Sequence, residues 1–215
     1  EAHELEREIV RRCVVEDIGG FLVPTRIPVK RTSRFSVGYM IPALEDIKAA
    51  SLDPQFHVRH APSLIGRERE LGITEKGQAI YYVELGSAVY VASFSLDVDG
   101  VGYTSMVKVD KAVDGNEISK RIEVAIKALY YVLDGMIGAK RTRFHPDYEL
   151  LSAVAAVTKQ GVFNVSPGHR RSYVEDTAHR AEKVKNLIGS DVKIYAYVKE
   201  SGVAIPPSVE KLGTL

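Results

Sequence analysis

The residues that could do chemistry here are cations set beside glycine and aromatic rings. Gly135 and Gly138 stand where a strong helix should end, and Lys140, Arg141 and Arg143 follow at once, then Phe144 and His145. Flexible backbone N–H groups beside positive charge and stacking surface suit an anionic, base-bearing ligand. Taken by itself, the loop reads first as a glycine-stopped helix whose cations complement the helix C-terminus. Further basic clusters occupy residues 26–34, 57–60 and 169–171, supplying Lys30, Arg31 and Arg34, then His57 and Arg59, then His169, Arg170 and Arg171. Any one of them is ordinary solvated surface charge; their recurrence in loops weakens that reading.

Catalysis would need more. His57 and His60 are an odd spacing apart, which in a strand sends them to opposite faces and prevents joint metal binding or acid/base pairing. Asp97 and Asp99 would share a face, as a two-carboxylate magnesium site requires, but Gly100 beside them favours a turn. The chain has no phosphate loop ending in Lys-Ser/Thr, no nucleophile elbow and no His-Glu-x-x-His. No enzyme activity, metal or cofactor is therefore expected, with a lone histidine base left open.

Composition bounds the rest. A chain of 215 residues is long enough for one substantial domain, and 45% hydrophobic with 27% charged residues is a globular composition. No apolar run approaches the ~20 residues of a membrane span. The single cysteine, Cys13, cannot form an internal disulfide, which fits a reducing, cytoplasmic setting. The formal net charge is only +1, so nucleic-acid binding must come from clustered charge. The chain opens with Glu1 inside a helical pattern, and a preceding segment that includes a first strand is expected.

The elements that must position these residues follow from periodicity. Leu5, Ile9 and Cys13 predict an amphipathic helix over residues 1–15, stopped by Gly19-Gly20. Pro24 and Pro28 bracket a loop, and Pro42 is placed to open a short helix through Leu44, Ile47 and Ala50. Alternation over residues 55–60 predicts a strand with His57 and Arg59 on its polar face, followed by a surface loop over residues 62–77. Residues 79–96 read as two strands, or one long bent strand, leading into a turn at 97–100. Ile118, Ile122, Ala125, Ile126, Leu129, Val132 and Leu133 make one helical stripe. Residues 150–157, nearly all small and apolar, predict a central strand covered on both faces. Ser172 and Glu175 have capping-box spacing ahead of a helix over residues 173–188 that Gly189 ends. The strand 192–198 alternates strictly, with Lys193, Tyr195, Tyr197 and Lys199 on one face as a possible stacking platform. The order is close to β-α-β-β-α-β, an α+β ferredoxin-like arrangement with an antiparallel sheet, helices on one side and inserted excursions. One domain over residues 1–215 is expected, with insertions near 24–77.

Several stretches together resemble a known family. Residues 14–23 (VVEDIGGFLV), 30–43 (KRTSRFSVGYMIPA), 55–59 (QFHVR), 81–90 (YYVELGSAVY) and the loop at 135–146 are similar to the archaeal type I-A CRISPR Cascade backbone subunit, of the DevR-like CRISPR-associated autoregulator family. The resemblance implies a modified RNA-recognition fold whose copies assemble along CRISPR guide RNA, present it to target DNA and bind other Cascade subunits, leaving cleavage to a recruited nuclease. It places Lys30, Arg31 and Arg34 after a thumb-like insertion, His57 and Arg59 on a strand that meets RNA, and Gly138, Lys140, Arg141 and Arg143 in a glycine-containing RNA-binding loop. His169, Arg170 and Arg171 are additional candidates. The chain is shorter than the family pattern, abruptly so at residues 24–28. An RNA endonuclease of the same superfamily, processing CRISPR repeat RNA, is the alternative, and a purely structural oligomer subunit is a third reading.

Overall fold

The computed structural model describes residues 1–24, 26–43, 53–59, 79–85, 88–135 and 149–213, with 53–59 and 79–85 described by their backbone. The chain is α+β. It separates into two compact units, Glu1–Tyr39 with Ala92–Leu215, and Met40–Val91. The second unit begins and ends later than the insertion expected at 24–77.

The first helix of the sequence is two helices. α1 (Ala2–Arg12) and α2 (Val14–Gly19) meet at Cys13, whose extended backbone (φ −132°, ψ 114°) breaks the spiral. Their fully buried residues are Val10 and two carboxylates, Glu6 and Asp17, while Leu5, Ile9 and Cys13 are only half-buried. Gly20 ends α2 at φ 79°, where a Cβ would stand 2.5 Å from the carbonyl oxygen of Arg31, so only glycine fits. The chain then forms an antiparallel pair, β1 (Phe21–Val23) with β2 (Val29–Arg31), in which Lys30 lies opposite Leu22. β3 (Phe35–Val37) follows.

In the second unit β4 (Ile41–Pro42) puts Pro42 in a strand rather than at a helix start; the helix expected beyond it lies outside the described residues. β5 (Asp53–Arg59), the strand that alternation predicts, forms an antiparallel pair with β6 (Ala79–Leu85), with His57 opposite Tyr81 and Arg59 opposite Ala79. The expected surface loop at 62–77 is likewise outside the described residues. β7 (Tyr90–Val91) pairs with β4. Residues 79–96 are therefore three short strands, the last being β8 (Phe94–Leu96), which pairs with β3 in the first unit.

After β8, Asp97 accepts a hydrogen bond from the Gly100 N–H at 3.2 Å, closing the expected turn. α3 (Gly115–Gly135) is capped by Asp114, whose Oδ1 accepts the Glu117 N–H at 2.9 Å. Its apolar stripe is only half-covered: Ile126 and Val132 are 55% and 49% exposed, and the residue it buries is Arg121.

The main core lies between α4 (Tyr173–Ile188) and a sheet of β9 (Ser152–Thr158), β10 (Val192–Val198) and β11 (Glu210–Lys211), in the order β11-β10-β9. Tyr173, Val174, Ala178 and Ala181 of α4 pack on Ile194 and Ala196, the inward residues of the alternating strand. A fully buried valine such as Val174 contributes about 1.5–3 kcal/mol relative to exposure. β9 pairs antiparallel with β10, whereas β11 runs parallel to it, so the sheet is mixed rather than antiparallel. β10 is the central strand. β9, expected to be central, flanks it and leaves Val157 55% exposed. Ser172 makes no capping bond to the backbone; its hydroxyl donates to the Asp176 carboxylate at 2.9 Å instead of forming the expected box. Gly189 does end α4, in the left-handed conformation at φ 68°.

Candidate nucleic-acid interface

Strand alternation decides the fate of the first basic cluster. In β2, Val29 and Arg31 turn inward and Lys30 between them turns out, because successive side chains leave a strand on opposite sides. Arg31 is 4% exposed. Its Nε donates to the Asp17 carbonyl at 2.8 Å, Nη1 to the Tyr103 carbonyl at 2.6 Å and Nη2 to the Gly100 carbonyl at 3.0 Å, while Nη2 also pairs with the Asp17 carboxylate. Such an arginine is closed to solvent and to any phosphate, so the contact with RNA expected of it is replaced by an internal one.

Arg31 belongs to a buried charge network that the sequence reading missed. Asp17 Oδ2 accepts from Arg121 Nη1 and from the Gly102 N–H, both at 2.9 Å. Arg121 also donates to the carbonyls of Val10 (2.7 Å) and Arg11 (3.1 Å), and Glu6 accepts the N–H groups of Ser105 (2.8 Å) and Met106 (3.1 Å). The network ties α1, α2, β2, the 100–106 loop and α3 together. Burial, with the Arg34 charge nearby, lowers the affinity of Arg31 for its proton against the pull of Asp17 and Glu6. Burial works the same way on Arg121, but its bonds to Asp17 and Glu117 outweigh it and raise the value. The available signal was a charged residue standing in an apolar row, as Arg121 does between Ile118 and Ala125.

Arg34 lies nearer the surface. Its Nη1 pairs with Asp97 Oδ2 at 3.0 Å, and its guanidinium packs against the Gly100 Cα so closely that a Cβ there would stand 2.4 Å from it. Just beyond it, the rings of Phe35 and Phe94 stack across β3 and β8, 6.2 Å apart and 23° from parallel, both more than a third exposed. Lys30 is exposed. Exposed cations close in sequence to exposed aromatic faces are what single-stranded nucleic acid uses. Phe94 was the part overlooked; only strand pairing brings it to Phe35.

His57 and Arg59 are placed on β5 at alternate positions. Gly138, Lys140, Arg141 and Arg143 lie outside the described residues. His169, Arg170 and Arg171 sit in the loop before α4, with Arg170 exposed, His169 half-buried and Arg171 donating to the Ser201 carbonyl at 3.1 Å. On the sheet face away from α4, Lys193 is exposed and Tyr195 and Tyr197 are half-buried, as the alternation predicts. Among the described residues no group of His, Cys, Asp and Glu is arranged to hold a metal, and no helix is long and apolar enough to cross a membrane.

The family model described as "CRISPR-associated negative auto-regulator DevR/Csa2" matches residues 1–178. A "CRISPR-associated aCascade subunit Cas7/Csa2 2" of Saccharolobus solfataricus is 36% identical over 221 aligned positions, covering 100% of this chain and 65% of that protein. A "CRISPR-associated protein Cas7/Cst2/DevR" of Methanocaldococcus jannaschii is 27% identical, covering 96% of this chain and 64% of that one. The chain thus spans less than two thirds of the length of these curated relatives. A solved chain of a "CRISPR RNA-guided surveillance complex, pre-nicking" superposes with a TM-score of 0.51 at 9% identity, over 97% of this chain and 54% of that one, a likeness of fold alone. The match over residues 1–178 and the identity to the Saccharolobus protein are sufficient: this chain belongs to the DevR/Csa2 family of CRISPR-associated proteins.

Proposed function

We propose that the protein is a guide-RNA-binding backbone subunit of a type I Cascade. Several copies line up on one guide, hold its phosphates with lysine and arginine, and leave the bases accessible to target DNA; other Cascade subunits complete the complex. The observation that carries this reading is the family match over residues 1–178, which contains every candidate cation from Lys30 to Arg171. The exposed Lys30, the partly exposed Arg34 and the stacked Phe35 and Phe94 support it. In this reading the palm is of the RNA-recognition type, with the sheet face bearing Lys193, Tyr195 and Tyr197 open, and the protein is cytoplasmic.

The subunit binds RNA and does not cut it. Both carboxylate oxygens of Asp97 are engaged, one by Arg34 and one by the Gly100 N–H, which supports a turn rather than a magnesium ligand. The test changes Lys140, Arg141 and Arg143 together to alanine and measures binding to repeat-spacer RNA over a range of salt. Each phosphate contact on a single strand contributes a slope of about 0.7, so the triple variant should lose up to about 2 in slope. Wild-type affinity and slope in that variant would remove the loop from the mechanism. Specific cleavage of labelled repeat RNA that disappears on changing His57 or Asp99 would replace binding by catalysis.

A further inference from the structure

Arg34 is a cation held back from solvent. Its side chain is only 13% exposed, folded onto the turn that follows β8, with Nη1 donating to Asp97 Oδ2 at 3.0 Å. The guanidinium lies on Gly100, where a Cβ would stand 2.4 Å from its central carbon and 2.6 Å from Asp97 Oδ2. Only a residue without a side chain lets the two charges meet. The turn beneath them is fixed from the interior, since Arg31 Nη2 donates to the Gly100 carbonyl at 3.0 Å and the Gly102 N–H to Asp17 Oδ2 at 2.9 Å. The Gly100 N–H holds the other Asp97 oxygen at 3.2 Å. Arg34 can therefore swing away while the turn stays in place.

Three observations show that the folded-back position is weakly held. Asp97 is 53% exposed, so the pair meets water on one side, and ion pairs of that kind contribute little. Arg34 Nε is buried without a hydrogen-bond partner among the described residues, a cost that ends when the side chain extends into water or onto an acceptor. The charge of Arg34 also acts on Arg31, lowering that residue's affinity for its proton, and the same repulsion acts back on Arg34.

We propose that the Arg34–Asp97 pair is an autoinhibitory latch: the carboxylate occupies the arginine in the free protein, and a guide phosphate must displace it. The latch rests on the guide-RNA reading and adds a control to it. A phosphate offers the same charge-assisted bonds as the carboxylate, and two of its oxygens can take Nε and one Nη together, giving the orphaned Nε its partner. Arg34 adjoins Phe35 in the chain, so the cation becomes available beside the stacked Phe35 and Phe94 rings when the latch opens. The protein then gives up an internal pair for each strand it binds, which lowers its affinity for weak anionic competitors as well.

Two substitutions open the latch by different routes. Asp97→Asn removes the charge while its amide oxygen still accepts the Gly100 N–H; Gly100→Ala changes no charge and pushes the guanidinium off the turn, at a position outside the left-handed region. Each should raise affinity for labelled single-stranded repeat-spacer RNA by about two- to fivefold, the effect of removing a weak competing pair. In an Arg34→Ala background neither should raise it, which separates release of this arginine from the general loss of a negative charge. NMR of the arginine Nε–H groups reads the latch without RNA: the Arg34 signal should exchange with water faster in both variants than in wild type, at near-wild-type melting temperatures. Should Gly100→Ala fail to fold, Asp97→Asn alone carries the test. Wild-type RNA affinity in the folded variants, or a gain that persists without Arg34, would overturn the latch and leave the guide-RNA reading intact. A wild-type protein with no affinity for the RNA would overturn that reading, and the latch with it.

Discussion

Lys30 and Arg31 are neighbours of like charge with opposite surroundings, one exposed and one buried, and the cause is one step of strand alternation. Removing a member of a buried ion network leaves its partner charged and desolvated, which costs about 3–5 kcal/mol, whereas an exposed lysine away from such features costs within about 0.5 kcal/mol. Asp17→Ala should therefore lower stability by about 3–5 kcal/mol in urea unfolding, because Arg31 would keep only Glu6, at 3.5 Å, and Arg121 only the half-exposed Glu117, at 3.0 Å. Lys30→Ala should leave the unfolding midpoint unchanged while weakening RNA binding. If Asp17→Ala unfolds at the wild-type urea concentration, the network does not hold the helices to β2.

Among elements, α3 combines a half-exposed stripe with a capped first turn. The Glu117 N–H, bonded to the Asp114 carboxylate, holds that acid below its ordinary range, against a smaller effect of burial. A carboxyl whose value is depressed on folding adds stability above its unfolded value near 3.9, and that stability is lost as pH falls through the depressed value. Thermal melts should find Asp114→Ala less stable than wild type at about pH 7, with the gap closing toward about pH 2. A gap independent of pH would mean that the charge of the cap contributes nothing.

For the whole molecule, the reading as a repeated subunit predicts assembly along a scaffold. Protein purified without added nucleic acid should carry short RNAs of repeat-spacer length, and nuclease treatment should lower its apparent mass in size-exclusion chromatography. An elution volume and absorbance ratio unaffected by nuclease would argue against assembly on RNA. The family relatives are longer than this chain, so the same measurement on a full-length relative is the natural comparison.

Local patterns in the sequence were sufficient for α4 with its Gly189 stop, the strand β5, the Asp97 turn and the two faces of β10, because each depends on period or on one residue's backbone freedom. The family, too, was legible from contiguous stretches. Tertiary structure decided what local patterns leave free: that Arg31, Glu6, Asp17 and Arg121 neutralise one another in the interior, that Phe94 reaches Phe35, and that β9 flanks β10. A cation's role depends on whether a carboxylate or water lies opposite it, and that partner can be a hundred residues away.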